Sequence, residues 1–424
     1  MAQECIAIEG GHPLNGTVRI SGAKNATVAL IPAVVLANSP VEIYGVPEIS
    51  DVEALSTLLR ELNCDVERVG DTLKVDPTHI KNIPLVSKAV DKLRASYYFM
   101  GGMLGRYREV TIKMPGGCYL GPRPIDLHLK GFKALGADIT YNEKDETYTL
   151  KAEHLHGAEI YLDFASVGAT INIMLAAVMA EGRTTIENAA KEPEIIDVAN
   201  LLTKMGAKLR GVGTDTIIID GVKEMHGTSH EIIPDRIEAG TFLIIAAAVG
   251  RKVLIQNVIS QHLDALLSKL RELGVRFEII GDSILVWGDY YDFKPVEVTT
   301  QPYPGFATDL QQPLTTLLTL AHGRSKVTDT IYTERFKHCA QLNKMGANIE
   351  VGDGCCYVNG PTKLHGTRVE ATDLRCGAAL VVAGLMAEGI TEITNVYHID
   401  RGYDNIDRKL TALGAQISRY QVED

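Results

Sequence analysis

The segment Lys133-Ala-Leu-Gly-Ala137 ends an amphipathic stretch, and six phrases like its last three residues occur along the chain. They are Leu62-Asn-Cys64, Leu135-Gly-Ala137, Met205-Gly-Ala207, Leu273-Gly-Val275, Met345-Gly-Ala347 and Leu413-Gly-Ala415. Their middle positions, 63, 136, 206, 274, 346 and 414, are 73, 70, 68, 72 and 68 residues apart. A steady period indicates repeated supersecondary units, and glycine suits the left-handed position that ends a helix. The sequence therefore predicts six related modules.

Each module has the same order of elements. It begins with an apolar, almost uncharged helix, predicted at 26–36, 96–104, 169–179, 241–249, 314–321 and 378–386. A β-branched strand such as Val41–Tyr44 follows, then an amphipathic helix such as Asp51–Leu62, and a hairpin closes the module. Uncharged helices are expected to be buried on all sides, and amphipathic ones to face outward. We predict an α/β fold in which three βαβαββ-like modules pack their buried helices together, giving two similar domains.

The composition excludes several classes of protein. A net charge of −11 argues against non-specific nucleic-acid binding. The seven cysteines (5, 64, 118, 339, 355, 356 and 376) are odd in number and lack CxxC spacing, which argues against a disulfide framework or a zinc site. The N-terminus does not resemble a signal peptide, and the longest apolar run, Phe242–Val249, is too short to cross a bilayer. A cytoplasmic protein without membrane insertion is predicted.

One module carries an extra loop that contains a cysteine. From Val110 to Gly136 the second module takes 26 residues, whereas the others take 20 to 23 over the same elements, and the extra length surrounds Cys118. Lys113 and Arg123 flank this cysteine, and nearby cations lower a thiol pKa toward neutrality. The loop is predicted to act as a lid carrying an acid or nucleophile. The alternative is a surface turn with an incidental cysteine.

The predicted N-termini of the buried helices carry polar groups. They hold Lys24-Asn25, Arg94, Ser166-Val-Gly168, Asp235-Arg236, Asp309 and Asp373-Leu-Arg375. A helix N-terminus attracts anions, and a cation there is unfavourable for the helix itself. Lys24, Arg94 and Arg375 are therefore predicted to serve an anionic ligand. The alternative is that they pair with local carboxylates such as Asp373.

Several motifs together resemble a known family. They are Ser21-Gly-Ala-Lys-Asn25, Met114-Pro-Gly-Gly-Cys118, Gly121-Pro-Arg-Pro-Ile-Asp-Leu-His128, Ser166-Val-Gly-Ala-Thr170, Pro234-Asp-Arg236, Thr308-Asp309, Asp373-Leu-Arg375 and His398-Ile-Asp-Arg-Gly402. From residue 5 to 418 the chain resembles the UDP-N-acetylglucosamine 1-carboxyvinyltransferases, the enolpyruvyl transferases that open peptidoglycan synthesis. The resemblance implies two inside-out α/β barrel domains, 22–233 and 1–21 with 234–424, on either side of a deep cleft.

The same resemblance implies the roles of individual residues. Lys24, Arg123 and Arg401 would hold the phosphate of phosphoenolpyruvate, and Arg335, Arg375 and Asn25 would lie near its carboxylate. Cys118 would protonate the enol methylene, and fosfomycin would alkylate it, while Asp309 would accept the proton of the sugar 3′-hydroxyl. Contacts to UDP-N-acetylglucosamine would come from Arg94, Arg123, Pro124, Ile125, Asp126, Leu127, Ser166, Val167, Gly168, Asp309 and Ile331. Phe164 stands where some relatives have lysine. No metal or cofactor is implied.

Alternatives to this assignment remain. Thr308 and Gln311 resemble a capping box around Asp309, which would give that carboxylate a low pKa and leave it as a plain helix cap. 5-Enolpyruvylshikimate-3-phosphate synthase shares the fold and phosphoenolpyruvate, but its motif places serine where Asn25 follows Lys24 here, and it has no counterpart of the cysteine loop. A non-catalytic UDP-sugar-binding regulator is a third possibility, and an assay of phosphate release distinguishes it from an enzyme.

Overall fold

The computed structural model describes residues 3–113, 125–288 and 292–422. The chain folds as two units, which we call the first unit (22–233) and the second unit (1–21 with 234–424). Helices and strands alternate along both of them, which confirms the predicted α/β class.

The elements are numbered in chain order. The strands are β1 (Gln3–Glu9), β2 (Leu14–Arg19), β3 (Val41–Tyr44), β4 (Asp65–Val69), β5 (Thr72–Asp76), β6 (Glu109–Lys113), β7 (Asp138–Asn142), β8 (Thr147–Lys151), β9 (Glu159–Tyr161), β10 (Arg183–Glu187), β11 (Lys208–Arg210), β12 (Thr216–Asp220), β13 (Ser229–Glu231), β14 (Gly250–Gln256), β15 (Arg276–Ile280), β16 (Ser283–Trp287), β17 (Glu297–Thr299), β18 (Gly323–Thr328), β19 (Ile349–Gly352), β20 (Cys355–Gly360), β21 (Arg368–Glu370), β22 (Ile390–Thr394) and β23 (Gln416–Val422). The helices are α1 (Lys24–Ala33), α2 (Ser50–Glu61), α3 (Lys88–Lys92), α4 (Tyr98–Tyr107), α5 (Asp126–Ala134), α6 (Val167–Ala177), α7 (Pro193–Lys204), α8 (Arg236–Val249), α9 (Asp264–Leu273), α10 (Thr308–Leu318), α11 (Lys337–Lys344), α12 (Leu374–Met386), α13 (Tyr397–Asp400) and α14 (Ile406–Ala412).

The strands of each unit form three small sheets, of which β6-β8-β7 is antiparallel and the others are mixed. In the first unit the strand orders are β13-β3-β5-β4, β6-β8-β7 and β11-β12-β10-β9. In β13-β3-β5-β4, β3 pairs in parallel with β13 and antiparallel with β5, so that Ile43 lies between His230 and Leu73. The sequence predicts that a hairpin closes each module, and the pairs β4–β5, β11–β12, β15–β16 and β19–β20 form such hairpins. Their turns contain Gly70, Gly213, Gly281 and Gly354.

The N-terminal segment supplies two strands to the second unit. Its sheets have the orders β15-β16-β14-β2, β17-β18-β20-β19 and β21-β22-β1-β23. β1 lies antiparallel between β22 and β23, with Ile8 opposite Thr391 and Ile417, and so takes the place that β20 has in the preceding module. β2 pairs in parallel with β14. The last module of the chain is therefore completed by the first strand.

The uncharged helices form the centre of each unit, as predicted. α8, α10 and α12 contact one another in the second unit, and α4 packs against α1 and α6 in the first. Glycines allow the closest of these approaches: a Cβ at Gly101 would lie 2.2 Å from the carbonyl oxygen of Asn172, and one at Gly105 would lie 2.8 Å from that of Leu175. Burial of these apolar helices supplies the main driving force for folding.

The repeated phrase ends a helix in all six modules. The φ angles of Asn63, Gly136, Gly206, Gly274, Gly346 and Gly414 are 66°, 97°, 107°, 100°, 100° and 104°. This confirms the predicted left-handed position, which costs glycine little. At Asn63 the side-chain amide donates to the carbonyl oxygen of His79 at 2.8 Å, and this bond holds the one non-glycine copy in place.

Candidate active site

Three charged side chains of the second unit meet at the start of α10. Arg335 Nη1 lies 2.6 Å from Asp309 Oδ1, and Arg375 Nη2 lies 3.1 Å from Asp309 Oδ2. The side chains of the two arginines are only 6% and 3% exposed, whereas that of Asp309 is 22% exposed. The structure therefore brings together three residues that the sequence placed in one site, and the carboxylate is the most accessible of them.

Arg375 is held by groups from several modules. Asp373 caps α12 by accepting the amides of Arg375 and Cys376 at 2.9 and 3.0 Å. The guanidinium itself is paired with Asp309 and lies 5.4 Å above the ring of Tyr403. Burial lowers the pKa of Arg375, but the attraction of Asp309 and Tyr403 outweighs it and raises the pKa above its ordinary value. Arg375 thus forms an ion pair with a carboxylate from another module, Asp309, whereas the neighbouring Asp373 binds backbone amides.

The capping box predicted around Asp309 is wrong. α10 begins after Ala307, which makes no side-chain capping bond. Thr308 Oγ1 instead donates to Asp329 Oδ2 at 2.7 Å and accepts from Arg335 Nη1 at 3.2 Å, while Gln311 Nε2 donates to the carbonyl oxygen of Arg335 at 2.8 Å. Residues distant in sequence therefore bind the side chains of Thr308 and Gln311, which are not available to cap the helix.

Arg401 and Ile331 lie on two other loops of the second unit. Arg401 directly follows α13 and is half-buried. Its neighbour Asp400 binds Arg419 through both carboxylate oxygens, at 3.0 and 2.8 Å. Burial lowers the pKa of His398, and the positive charge of Arg401 contributes to the same shift. Ile331 is half-buried, and its amide donates to Asp329 Oδ1 at 3.0 Å.

In the first unit, Lys24 is the first residue of α1. The preceding Ala23 gives the helix no side-chain cap. Lys24 Nζ lies 3.4 Å from Oδ2 of Asp51, a buried residue of α2, and the lysine side chain remains 15% exposed. Asn25 follows and is half-buried. Lys24 therefore lies close to a carboxylate that another helix of the same unit contributes.

A second group of the first unit surrounds His128. Arg94 lies 5.9 Å from the centre of the Tyr97 ring, which is 4.7 Å from the His128 ring. Asn172 Nδ2 donates to the carbonyl oxygen of Tyr97 and lies 3.0 Å from His128 Nδ1. Burial, assisted by the charge of Arg94, lowers the pKa of His128 to about 3. The imidazole is therefore neutral at pH 7, with Nδ1 free to accept from Asn172.

The start of α6 faces the same group. Ser166 caps this helix by accepting the amide of Ala169 at 3.2 Å, and Val167 is half-buried. A Cβ at Gly168 would lie 2.5 Å from Tyr97 Oη and 3.0 Å from His128 Cε1, so only glycine fits without a rearrangement.

Near this group, Ile125 is buried before the first turn of α5, Leu127 is half-buried and Asp126 is exposed. Phe164 is 49% exposed.

Part of the predicted site lies outside the described residues. Cys118, Arg123 and Pro124 belong to the segment 114–124, on which the structure carries no description. The six cysteines that are described are all buried and form no disulfide. Within 3–113, 125–288 and 292–422 there is no cluster of three or more acidic, histidine or cysteine side chains that could hold a metal ion. In the same ranges no helix is long and apolar enough to span a membrane.

Sequence reasoning missed several residues that shape the site. Asp329, Tyr97 and Asn172 were not singled out, and His128 was noted only as part of a motif. Asp329 could have been suspected because it follows a strand directly and precedes Ile331 by two residues, a spacing typical of side chains that bind the backbone of a turn. Asn172 offered a weaker signal, as an amide within an otherwise apolar helix.

Comparison with known proteins identifies the family. A family-wide sequence model described as EPSP synthase (3-phosphoshikimate 1-carboxyvinyltransferase) matches residues 8–410. The chain is 60% identical over 421 residues to "UDP-N-acetylglucosamine 1-carboxyvinyltransferase 2" of Bacillus subtilis, covering 99% of this chain and 98% of the relative. It is 58% identical to the protein of the same name in Geobacillus kaustophilus, covering 98% and 97% of the two chains.

Solved structures agree with this placement. The enolpyruvyl transferase NikO from Streptomyces tendae superposes with a TM-score of 0.91 at 25% identity, covering all of both chains. EPSP synthase from Acinetobacter baumannii shares the fold, with a TM-score of 0.77 at 18% identity over 99% of this chain and all of that one. The chain therefore belongs to the enolpyruvyl transferase family, within its UDP-N-acetylglucosamine 1-carboxyvinyltransferase branch.

Proposed function

We propose that this enzyme transfers the enolpyruvyl group of phosphoenolpyruvate to the 3′-hydroxyl of UDP-N-acetylglucosamine and releases phosphate, the first committed step of peptidoglycan synthesis. The observation that carries the proposal is the 60% identity, over nearly the full chain, to the UDP-N-acetylglucosamine 1-carboxyvinyltransferase 2 of Bacillus subtilis. The buried pair of arginines around Asp309 gives it a chemical basis, because guanidinium groups bind carboxylates and phosphates in a bidentate manner.

The cations divide between the two ends of phosphoenolpyruvate. In this proposal Lys24, Arg123 and Arg401 bind the phosphate, and Arg335 and Arg375 bind the carboxylate with Asn25 beside them. These residues come from both units, so the proposal requires both to act on one substrate molecule. Charge stabilisation by positioned cations can carry a large part of the rate enhancement, and the proposed chemistry uses no metal or cofactor.

The reaction is an addition followed by an elimination. Cys118 protonates C3 of the alkene, C2 becomes electrophilic, and the 3′-oxygen attacks C2 after Asp309 has accepted its proton. Loss of phosphate and of a proton from C3 then forms the product. One general acid and one general base each contribute roughly 10²–10⁴-fold.

The ion pairs of Asp309 affect how well it can act as a base. Two guanidinium groups at 2.6 and 3.1 Å stabilise its charged form, which weakens it as a proton acceptor. A substrate carboxylate that engages Arg335 or Arg375 supplies a second negative charge for the same guanidinium. We infer that bound phosphoenolpyruvate competes with Asp309 for these guanidinium groups and so makes Asp309 a stronger proton acceptor for the 3′-hydroxyl.

The acceptor sugar is proposed to bind mainly at the first unit. Arg94, the segment 123–127 and Ser166–Gly168 would contact UDP-N-acetylglucosamine, with Asp309 and Ile331 reaching it from the second unit. The group around His128 supports this assignment, because Arg94 and Gly168 both lie next to the side chain of Tyr97. Phe164, which stands where some relatives have lysine, is exposed and offers an aromatic face in place of a charge.

Release of phosphate from phosphoenolpyruvate and UDP-N-acetylglucosamine tests the proposal. Cys118→Asp should retain measurable transfer, with its optimum shifted toward acid because a carboxyl loses its proton at lower pH than a thiol. Cys118→Ser, too weak an acid, should be nearly inactive. Fosfomycin should inactivate the unmodified enzyme and spare the aspartate variant, since attack on an epoxide needs a thiolate.

Two outcomes contradict parts of this scheme. If Cys118→Asp is as inactive as Cys118→Ser at every pH, Cys118 acts through an obligatory covalent adduct and not as a general acid. If the unmodified enzyme uses shikimate 3-phosphate and not the nucleotide sugar, the proposed acceptor is wrong.

Both proposed substrates are charged metabolites of the bacterial cytoplasm. We place the reaction there, without nucleic-acid partners or membrane insertion.

A further inference from the structure

Asp329 is a buried carboxylate that directly follows β18 and is surrounded by hydrogen-bond donors. Its Oδ1 accepts from Thr300 Oγ1 at 2.8 Å and from the amides of Ile331 and Tyr332 at 3.0 and 2.9 Å. Its Oδ2 accepts from Thr308 Oγ1 at 2.7 Å. Only 1% of the residue is exposed, so it cannot touch a substrate, and the proposed chemistry gives it no task. Four donors compensate the cost of burying its charge.

Thr308 connects this carboxylate to the charged cluster. Its hydroxyl hydrogen is donated to Asp329, which leaves the oxygen lone pairs to accept from Arg335 Nη1 at 3.2 Å. The same nitrogen donates to Asp309 Oδ1 at 2.6 Å. The carboxylate of Asp329 thus determines the direction of the hydroxyl, and the hydroxyl limits where the guanidinium can lie.

The other oxygen of Asp329 determines the path of the loop that carries Arg335. Because it accepts two consecutive amides, the backbone at Ile331 and Tyr332 is held in a tight turn. The ring of Tyr332 then lies 5.5 Å from the guanidinium carbon of Arg335. One buried side chain therefore fixes both the start of α10, which bears Asp309, and the loop that bears Ile331 and Arg335.

We propose that Asp329 is a positioning residue for the transfer reaction, acting through Thr308 to hold the guanidinium of Arg335 beside Asp309, where the proposed function has it bind the substrate carboxylate. This inference rests on the proposed function, because it assumes that Asp309 and Arg335 act on the substrates. A charged group that is already in place stabilises the transition state more than one that must first be ordered. Displacement of such a group by about 1 Å can lower the rate by about 10²-fold.

Two valine variants separate positioning from general stabilisation. Thr308 and Thr300 each donate a hydroxyl hydrogen bond to Asp329, at 2.7 and 2.8 Å. Substitution of either by valine removes that bond at nearly constant side-chain volume. Only Thr308 lies between Asp329 and Arg335. In the phosphate-release assay, Thr308→Val should lower kcat by about 10- to 100-fold, whereas Thr300→Val should lower it less than about threefold. Thr308→Ser, which keeps the hydroxyl, should recover most of the turnover.

A double-mutant cycle provides the second readout. If Thr308 acts by placing Arg335 against Asp309, Thr308→Val should cost far less in an Asp309→Asn background than in the unmodified enzyme. Asp329→Asn should show the same non-additivity, and thermal melting of every variant checks that it folds. The threonine variants test the positioning role by themselves. The test therefore still holds if Asp329→Asn does not fold.

Each outcome decides the matter. Equal losses for Thr308→Val and Thr300→Val, or full additivity with Asp309→Asn, would overturn the positioning role while an active unmodified enzyme upholds the proposed function. An unmodified enzyme that releases no phosphate would overturn the proposed function and this assignment together. A large loss confined to Thr308→Val, with rescue by serine, supports it.

Discussion

Lowering the pH from about 7.5 to about 5 is expected to destabilise the first unit through one buried histidine. Burial and Arg94 hold the pKa of His128 at about 3 in the folded protein, whereas an unfolded histidine titrates near 6.5. The unfolded state therefore binds more protons below pH 6.5. The stability that depends on neutral His128 is fully present above this pH and is lost as the pH falls toward 3.

The size of the effect follows from the two pKa values. At about pH 5 the unfolded histidine is almost fully protonated and the folded one is not, which favours unfolding by about 2 kcal/mol. His128→Gln removes the titration and keeps a side-chain oxygen that can accept from Asn172. The stability difference between the unmodified protein and this variant should therefore shrink by about 2 kcal/mol between the two pH values.

Hydrogen exchange of the amides of α6 measures the opening free energy of the part of the first unit that contains Asn172, after correction for the intrinsic exchange rate at each pH. His154→Gln, at an exposed histidine of the same unit, is the matched control and should follow the unmodified protein. If the difference between the unmodified protein and His128→Gln is the same at both pH values, His128 is not held neutral and the account of this group is wrong.

Three further predictions concern other parts of the molecule. Gly168→Ala should lower the free energy of unfolding by about 1–3 kcal/mol in urea titrations, because the new Cβ would lie 2.5 Å from Tyr97 Oη. An unchanged free energy of unfolding would show that the tyrosine ring moves aside freely. Burial raises the pKa of Glu238 to about 7 despite its ion pair with Lys409. The stability linked to its protonated form is present below about pH 4.5 and lost as the pH rises through 7, so that Glu238→Gln should gain stability over the unmodified protein across this window in hydrogen exchange of α8. Arg401→Lys should lose at least about tenfold in turnover, or about 1.4 kcal/mol, with little change in melting temperature, because lysine keeps the charge but not the bidentate geometry; early melting with full turnover would make the residue structural.

Much of the fold follows from local features of the sequence. The six phrases predict left-handed helix ends, and all six have positive φ. The uncharged segments predict buried helices, and these helices occupy the centre of each unit. Such features can be read directly because a backbone angle or an apolar stretch depends on a few neighbouring residues. The candidate charged residues could be named for a similar reason, since cations at the start of an apolar helix are unfavourable without a partner.

Tertiary structure alone decided which partners these residues have. Asp309 is 26 residues from Arg335 and 66 from Arg375. It meets Arg375 because α10 and α12 pack together at the centre of the second unit, and it meets Arg335 because Asp329 binds both Thr308 and the loop that carries Arg335. Neither the use of Thr308 by Asp329 in place of a helix cap nor the completion of the last sheet by β1 has a local signature. Sequence determines which groups must be paired when they are buried, whereas the packing of distant modules determines the atoms with which they pair.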